Sequence, residues 1–227
     1  MSLFATILLQ ADTTANAITA PPEKISIFYL LSEGGILMFP LLLCSILLVY
    51  VFVERLQVIR KASEVDSNFM QRIREQIIGG DLQAAKNTAK VANSPVARMI
   101  EKGLSRIGKP IDHIEKTMEN AGKLEVYQLE KNLSILSTIA GIAPMVGFLG
   151  TIAGMIILFF NIQHEGFSLE AIAGGIYTKM VTSAVGLIIG LLSYVAYNYL
   201  NAQINKNVNK LETASFEFLD ILQEPTR

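Results

Sequence analysis

The sequence is poor in charged residues, cysteine and tryptophan. Only 17% of its 227 residues are Asp, Glu, Lys or Arg, whereas an average soluble domain carries about 25%. The net charge of −1 argues against a nucleic-acid binder that depends on bulk positive charge. Cys44 is the single cysteine, so a disulfide within the chain is excluded, and thiolate chemistry would lack a second sulfur ligand.

The missing charge is concentrated in long apolar stretches. Residues 36–53 and 132–164 contain no charged side chain, and residues 170–205 contain only Glu170 and Lys179. A helix needs about 20 apolar residues to cross the hydrocarbon core of a bilayer. The sequence therefore predicts an all-α membrane protein with three transmembrane helices and long helices that extend into a cytoplasmic helical domain.

Lys and Arg predict the orientation of these helices, because cytoplasmic connections are rich in both. They are concentrated in residues 54–132 and recur after the third span, whereas the short link 161–170 has none. We expect a multi-pass protein of the bacterial inner membrane, with a periplasmic N-terminus and a cytoplasmic C-terminus. The predicted order is a periplasmic amphipathic segment (1–27), transmembrane helix 1 (28–53), a cytoplasmic helical domain (54–132), transmembrane helix 2 (133–160), a periplasmic loop (161–170), transmembrane helix 3 (171–200) and a cytoplasmic C-terminal helix (201–227).

The N-terminal segment has a second interpretation. Ala15-Asn16-Ala17 resembles the small-residue cleavage site of a secretory signal, but no Lys or Arg precedes the short apolar run. A cleaved signal peptide therefore stays open beside the amphipathic segment.

Helix signals divide the cytoplasmic block. A helix over 62–78 is followed by Gly79-Gly80, Asp81 can cap a helix that runs through Ala92, and Ser94-Pro95 can start another. From Ile111 onward, apolar residues return at three- and four-residue steps without a break. This pattern predicts one helix from about Ile111 to Phe160, roughly 75 Å long.

Small and hydroxyl side chains form stripes in the second and third spans. One stripe contains Pro144, Gly147, Thr151 and Gly154, and the other contains Lys179, Ser183, Gly186 and Gly190. Gly150 with Gly154, and Gly186 with Gly190, have the spacing at which membrane helices approach closely. The stripes are either packing faces or, in the functional interpretation, a narrow hydrated path lined by hydroxyls.

Lys179 is the single charge inside the second and third predicted spans, and such charges are costly and often functional. Its side chain could extend to the outer surface, pair with a partner, or act in ion transfer. Neither the second nor the third span contains Asp or Glu, so a carboxylate that carries protons between them would have to come from a partner. The sequence suggests no cofactor, no metal site and no catalytic nucleophile–base pair, so we do not expect an enzyme.

Two strings resemble the MotA/TolQ/ExbB proton-channel family, and within it ExbB more than TolQ or the four-span MotA. Residues 142–155 read IAPMVGFLGTIAGM and resemble the second-span motif APLLGLLGT. Residues 174–187 read GGIYTKMVTSAVGL and, with Tyr197-Asn198-Tyr199, resemble the third-span motif. The resemblance extends from about Phe28 to Leu222.

The resemblance implies a subunit of a motor driven by the proton-motive force. Five copies would surround a pore formed by spans 2 and 3, and ExbD-like single-span helices inside it would carry the titrating aspartate. Proton flow would drive a TonB-like protein that energises outer-membrane import. Thr151 and Ser183 match the pore-lining threonines of the family. Thr178 stands where the family has a glutamate, with Lys179 after it, so a sodium-driven motor, a TolQ-like envelope motor and a non-conducting membrane scaffold also stay open.

Overall fold

The computed structural model describes residues 36–64, 66, 68–166 and 169–223, and these residues form seven helices without a β-strand. The helices are α1 (Met38–Ser63), α2 (Phe69–Ile78), α3 (Leu82–Ala92), α4 (Pro95–Leu104), α5 (Ile111–Glu130), α6 (Leu133–Glu165) and α7 (Leu169–Gln223). The predicted segment 1–27, the residues before 36 of the first span and the tail after 223 lie outside this range.

Three of these helices are long and apolar enough to cross a membrane: α1, α6 and the first part of α7. They pack around a shared buried core that includes Leu41, Leu136, Ala143 and Leu200. Their outward faces expose large apolar side chains such as Phe148, as lipid-facing helices do. The predicted all-α fold with three spanning helices is confirmed.

A second core lies in a helical cluster built by α2–α5 and the last turns of α7. Phe69, Ile73, Ile100, Met118 and Phe218 are almost fully buried there. Because α7 contributes to both cores, this one helix connects the membrane-spanning helices to the helical cluster.

The predicted starts of α3 and α4 are confirmed. The Asp81 carboxylate accepts a hydrogen bond from the backbone N–H of Ala84 at 2.9 Å, and the Ser94 hydroxyl oxygen accepts one from Ala97 at 3.1 Å. Both side chains satisfy backbone donors that have no partner within the first turn. The predicted helix over 62–78 is wrong, because α1 continues to Ser63 and α2 begins at Phe69.

A partly buried ion pair joins α4 to α5. Arg98 donates to both carboxylate oxygens of Glu125, from Nε at 2.7 Å and from Nη2 at 2.5 Å. The hydrogen bond from Arg98 to Glu125 raises the pKa of the guanidinium above its ordinary value. Arg98 also donates to the Asn93 carbonyl at 3.0 Å, so one side chain ties the end of α3 to α5.

The predicted single helix from Ile111 to Phe160 is wrong. The chain leaves the helical conformation at Lys131 and Asn132, and Asn132 has a left-handed backbone with φ of 63°. Arg55 on α1 is only 5% exposed and its Nη1 donates to the carbonyl of Gln128 at 3.2 Å. This contact satisfies a carbonyl in the last turn of α5, which a continuous helix would have satisfied by itself.

Helix α7 shows no break at the predicted end of the third span. It runs continuously for 55 residues, about 80 Å at 1.5 Å per residue. Helix α6 likewise continues to Glu165, past the predicted boundary at 160. Helix ends therefore do not mark where these two helices would leave a bilayer.

Candidate functional site: the seam between α6 and α7

The two predicted stripes face each other where α6 and α7 pack antiparallel. A Cβ atom added to Gly147 would lie 3.2 Å from the Cα atoms of both Ser183 and Gly186, and one added to Gly186 would lie 2.6 Å from the carbonyl oxygen of Ala143. The contact at Gly186 is closer than real Cβ atoms come and those at Gly147 are tighter than most, so the backbones of the two helices are in direct contact here. We call this contact zone, from Ala140 to Gly154 and from Lys179 to Gly190, the seam.

The remaining small residues extend the seam toward both ends. At one end a Cβ atom on Gly190 would overlap the ring of Pro144, with its Cδ at 2.6 Å. Toward the α6–α7 loop, a Cβ atom on Gly150 would lie 3.1 Å from the Cγ2 methyl of Thr182. The structure therefore brings Gly147, Gly150, Gly186, Gly190 and Pro144 together in one protomer.

Lys179 and Gly154 make the contact nearest the loop. A Cβ atom on Gly154 would overlap Cγ and Cδ of Lys179 and lie 2.5 Å from its Cε. The aliphatic stem of Lys179 therefore passes directly over Gly154, in space that only glycine leaves free. The lysine is half-buried, and no described residue forms an ion pair with it.

Three hydroxyl groups lie on the seam beside this lysine. Thr151 donates to the Phe148 carbonyl at 2.7 Å, and Ser183 is half-buried where α7 contacts Gly147. Thr182 is 1% exposed, and its Oγ1 has no hydrogen-bond partner among the described residues. Thr178 belongs to α7 one residue before Lys179, but its side chain lies outside what the structure describes.

Ser193 is a polar residue just beyond the seam on α7 that the sequence patterns did not indicate. Its hydroxyl is fully buried and donates across to the Leu136 carbonyl of α6 at 2.7 Å. The sequence feature that could have indicated Ser193 is its position three residues after Gly190, because this spacing places both residues on one helix face. This hydrogen bond joins the two helices on the side of the seam away from the loop.

The chemistry of the seam follows from its side chains. It offers hydroxyl groups and one ammonium group, but neither α6 from 133 to 164 nor α7 from 171 to 211 contains a carboxylate. Over the described ranges, no three His, Cys, Asp or Glu residues come together as a metal site. The seam by itself can donate hydrogen bonds and solvate an ion weakly, but it cannot take up and release a proton near neutral pH through a carboxylate.

Comparisons with known proteins identify the relatives of this chain. Residues 91–213 match the family described as the MotA/TolQ/ExbB proton channel family. A biopolymer transport protein ExbB homolog from Methanothermobacter thermautotrophicus is 26% identical over 184 residues, covering 79% of this chain and 64% of that protein. The biopolymer transport protein ExbB of Xanthomonas campestris is 24% identical over 117 residues, 51% of this chain and 46% of the relative.

A relative from a second system also matches. The Tol-Pal system protein TolQ of Haemophilus influenzae is 29% identical over 91 residues, which is 40% of each protein. The chain thus spans less than two thirds of the length of each of these three relatives. The matched family region contains all of α6 and the part of α7 that forms the seam.

Proposed function

Because the chain belongs to the MotA/TolQ/ExbB proton channel family, we propose that it is an ExbB-like subunit of a motor driven by the proton-motive force, with α6 and α7 lining the ion path. The observation that carries the proposal is that the family region, residues 91–213, includes the whole seam. The direct backbone contact of α6 with α7, with hydroxyls beside it, suits two helices that form one wall unit of a channel.

The titrating group of this motor is supplied by a partner. Neither wall helix carries a carboxylate in its apolar part, so an ExbD-like single-span helix provides the aspartate that takes up and releases protons. Such a group is neutral where it is desolvated and charged where it meets a hydrated, hydroxyl-lined surface. Each proton that crosses 100 mV releases about 2.3 kcal/mol, which the motor converts into movement of a TonB-like protein.

Five copies of the chain form the ring around those partner helices, in the inner membrane of a bacterium. The positive-inside rule places the α6–α7 loop in the periplasm and the helical cluster in the cytoplasm. The match to TolQ supports a second candidate, an envelope-maintenance motor with the same ion path but another output. Loss of outer-membrane nutrient uptake on deletion supports the ExbB-like role, whereas leakage of periplasmic contents with intact uptake supports the TolQ-like one.

The ion path is tested by removing its hydroxyls. We expect Thr151→Val combined with Ser183→Ala to lower proton flux about tenfold or more in liposomes that contain the purified complex. Valine keeps the shape of threonine and alanine removes only the hydroxyl of serine, and neither side chain can solvate an ion. Thr138→Val is the matched control: Thr138 also donates to a carbonyl of its own helix, at 2.9 Å, but lies outside the seam. Unchanged flux in the double variant would refute the path, and a wild-type complex without proton flux would favour a non-conducting scaffold.

A further inference from the structure

A groove with an apolar floor lies between α5 and α7 in the helical cluster. Its volume is about 670 Å³. The floor is built by buried or half-buried apolar side chains from three helices: Met99, Met118, Val126, Val208, Leu211 and Leu219. Two aromatic side chains also line the groove, and Tyr127 is 73% exposed and Phe216 68%. Large exposed apolar side chains beside an apolar groove mark a surface to which another molecule binds.

The bilayer does not cover this groove. Phe216 lies 47 residues after Leu169, the first residue of α7, which is about 70 Å along the helix axis. A bilayer with its headgroups is only about 40–45 Å thick. Because α7 is one continuous helix whose apolar first part crosses the membrane, the groove lies in water. Lipid tails therefore cannot bury Phe216, and the groove suits a protein partner.

The rim of the groove is acidic. It is lined by four carboxylates and one ammonium group: Glu115, Glu119, Glu130, Glu212 and Lys123. Lys123 pairs with Glu119 at 2.5 Å. The other three glutamates are exposed, and no described residue forms an ion pair with them. The groove thus combines unpaired negative charge with an apolar floor, which favours a partner surface that is basic and carries an exposed apolar side chain.

The same chain carries a surface of that kind. Residues 82–110, which include α3 and α4, have six Lys or Arg and one Glu, whereas α5 has two Lys and five Asp or Glu. We call Lys90, Val91, Lys102 and Lys109 the basic surface. Its three lysines are exposed, and Val91 is 85% exposed. None of these four residues lines the groove, so one copy presents the two complementary surfaces at separate places.

We propose that the groove binds the basic surface of a second copy of this chain, with Val91 against the apolar floor and the lysines against the rim carboxylates. One surface then contacts a different surface of the next copy, and a contact of this head-to-tail kind can repeat into a closed ring. A two-fold contact of groove with groove would instead bring like charges together. The inference rests on the proposed ring of five copies and names the contact that joins its neighbours outside the membrane.

The first test is carbodiimide crosslinking of the wild-type complex in its own membranes. This reagent joins a carboxylate directly to an amine without a spacer, so it links residues that are in ion-pair contact. We expect covalent multimers, with links from groove carboxylates to Lys90, Lys102 or Lys109 in the dimer band. The monomer band should lack these links, since only contacts within one copy can form there. Mass spectrometry of the digested bands identifies them.

Charge reversal tests the contact by a second readout, the fraction of dissociated chain in native mass spectrometry at low salt. Glu130→Lys with Glu212→Lys should raise this fraction about tenfold, because like charges then face each other across the contact. Adding Lys102→Glu and Lys109→Glu to the same chain should return the fraction to the wild-type value, because the attraction is restored with its signs exchanged.

The matched control reverses two charges outside the groove. Glu75 and Glu217 are exposed and do not line it, so Glu75→Lys with Glu217→Lys should leave the dissociated fraction unchanged. An equal rise in this control and in the groove variant would mean that net charge, and not the groove, controls assembly, and would overturn the inference.

The failures of the inference and of the proposed function are distinguishable. A five-copy complex whose crosslinks avoid the groove, and which tolerates the groove reversal, would overturn the docking surface and leave the motor proposal intact. Crosslinks from the groove to a different protein would also overturn it, because the occupant would then be another partner. A wild-type chain that forms no oligomer would refute the proposed ring, and the inference with it.

Discussion

At the scale of single residues, the close contact of α6 with α7 at the seam depends on glycines, which carry a hydrogen atom where alanine carries a methyl group. Gly186 is the most demanding position, because the atom that an added Cβ would meet is a backbone carbonyl oxygen that cannot rotate away. At Gly154 the neighbouring atoms belong to a flexible lysine stem, which can move. The same substitution to alanine therefore has different consequences at the two glycines.

We expect Gly186→Ala to separate α6 from α7 and to lower the stability of the chain by about 1–3 kcal/mol, the usual range for overpacking. The measurement is the thermal unfolding midpoint of the detergent-purified protein. Gly141→Ala, with open space around its Cβ position, is the control and should leave the midpoint unchanged. An equal midpoint for both variants would mean that the helices are not in backbone contact at Gly186.

At this scale the sequence could not predict which side chains of α6 contact which side chains of α7. Spacing alone indicated which small residues share a helix face, but it left open what that face contacts. The contact between Gly154 and Lys179 joins positions 25 residues apart on two helices, so only the pairing of α6 with α7 brings it about. Ser193 was missed as a site residue, since a buried hydroxyl in a helix is usually satisfied by its own backbone.

At the scale of helices, the joint between α5 and α6 is the main departure from the prediction. The apolar periodicity runs through it and no proline or glycine marks it. Two features accompany the break, the left-handed backbone of Asn132 and the hydrogen bond from Arg55 to the Gln128 carbonyl, and Arg55 is 73 residues from Gln128 in sequence. By contrast, Asp81 and Ser94 cap the helices they begin, so local sequence was sufficient there.

The joint is tested at Asn132. A non-glycine residue without a local hydrogen-bonding side chain pays about 1–2 kcal/mol in the left-handed region, so we expect Asn132→Ala to lower the unfolding midpoint by several degrees. Asn132→Gly is the control and should match or exceed the wild type, because glycine adopts this backbone freely. If the Asn132→Ala protein were as stable as the Asn132→Gly protein, the break between α5 and α6 would not depend on the left-handed conformation of residue 132.

At the scale of the whole molecule, the two helices proposed to line the ion path, α6 and α7, carry no carboxylate in their apolar parts. The proposed assembly is therefore incomplete without a second kind of subunit. We expect native mass spectrometry of the complex, extracted in detergent from its own membranes, to give five copies of this chain together with a small single-span protein that has an aspartate in its span. A homo-oligomer without such a protein would contradict the proposal and leave Lys179 as the single charge within the second and third predicted spans.

Two of the connections between the membrane-spanning helices and the helical cluster differ in form. Helix α7 continues without a break from the loop to Phe218, which is buried in the core of the cluster, whereas the α5–α6 connection leaves the helical conformation at Asn132. If α7 turned about its axis, the cluster packed on its last turns would have to turn with it, while the second connection could bend at Asn132.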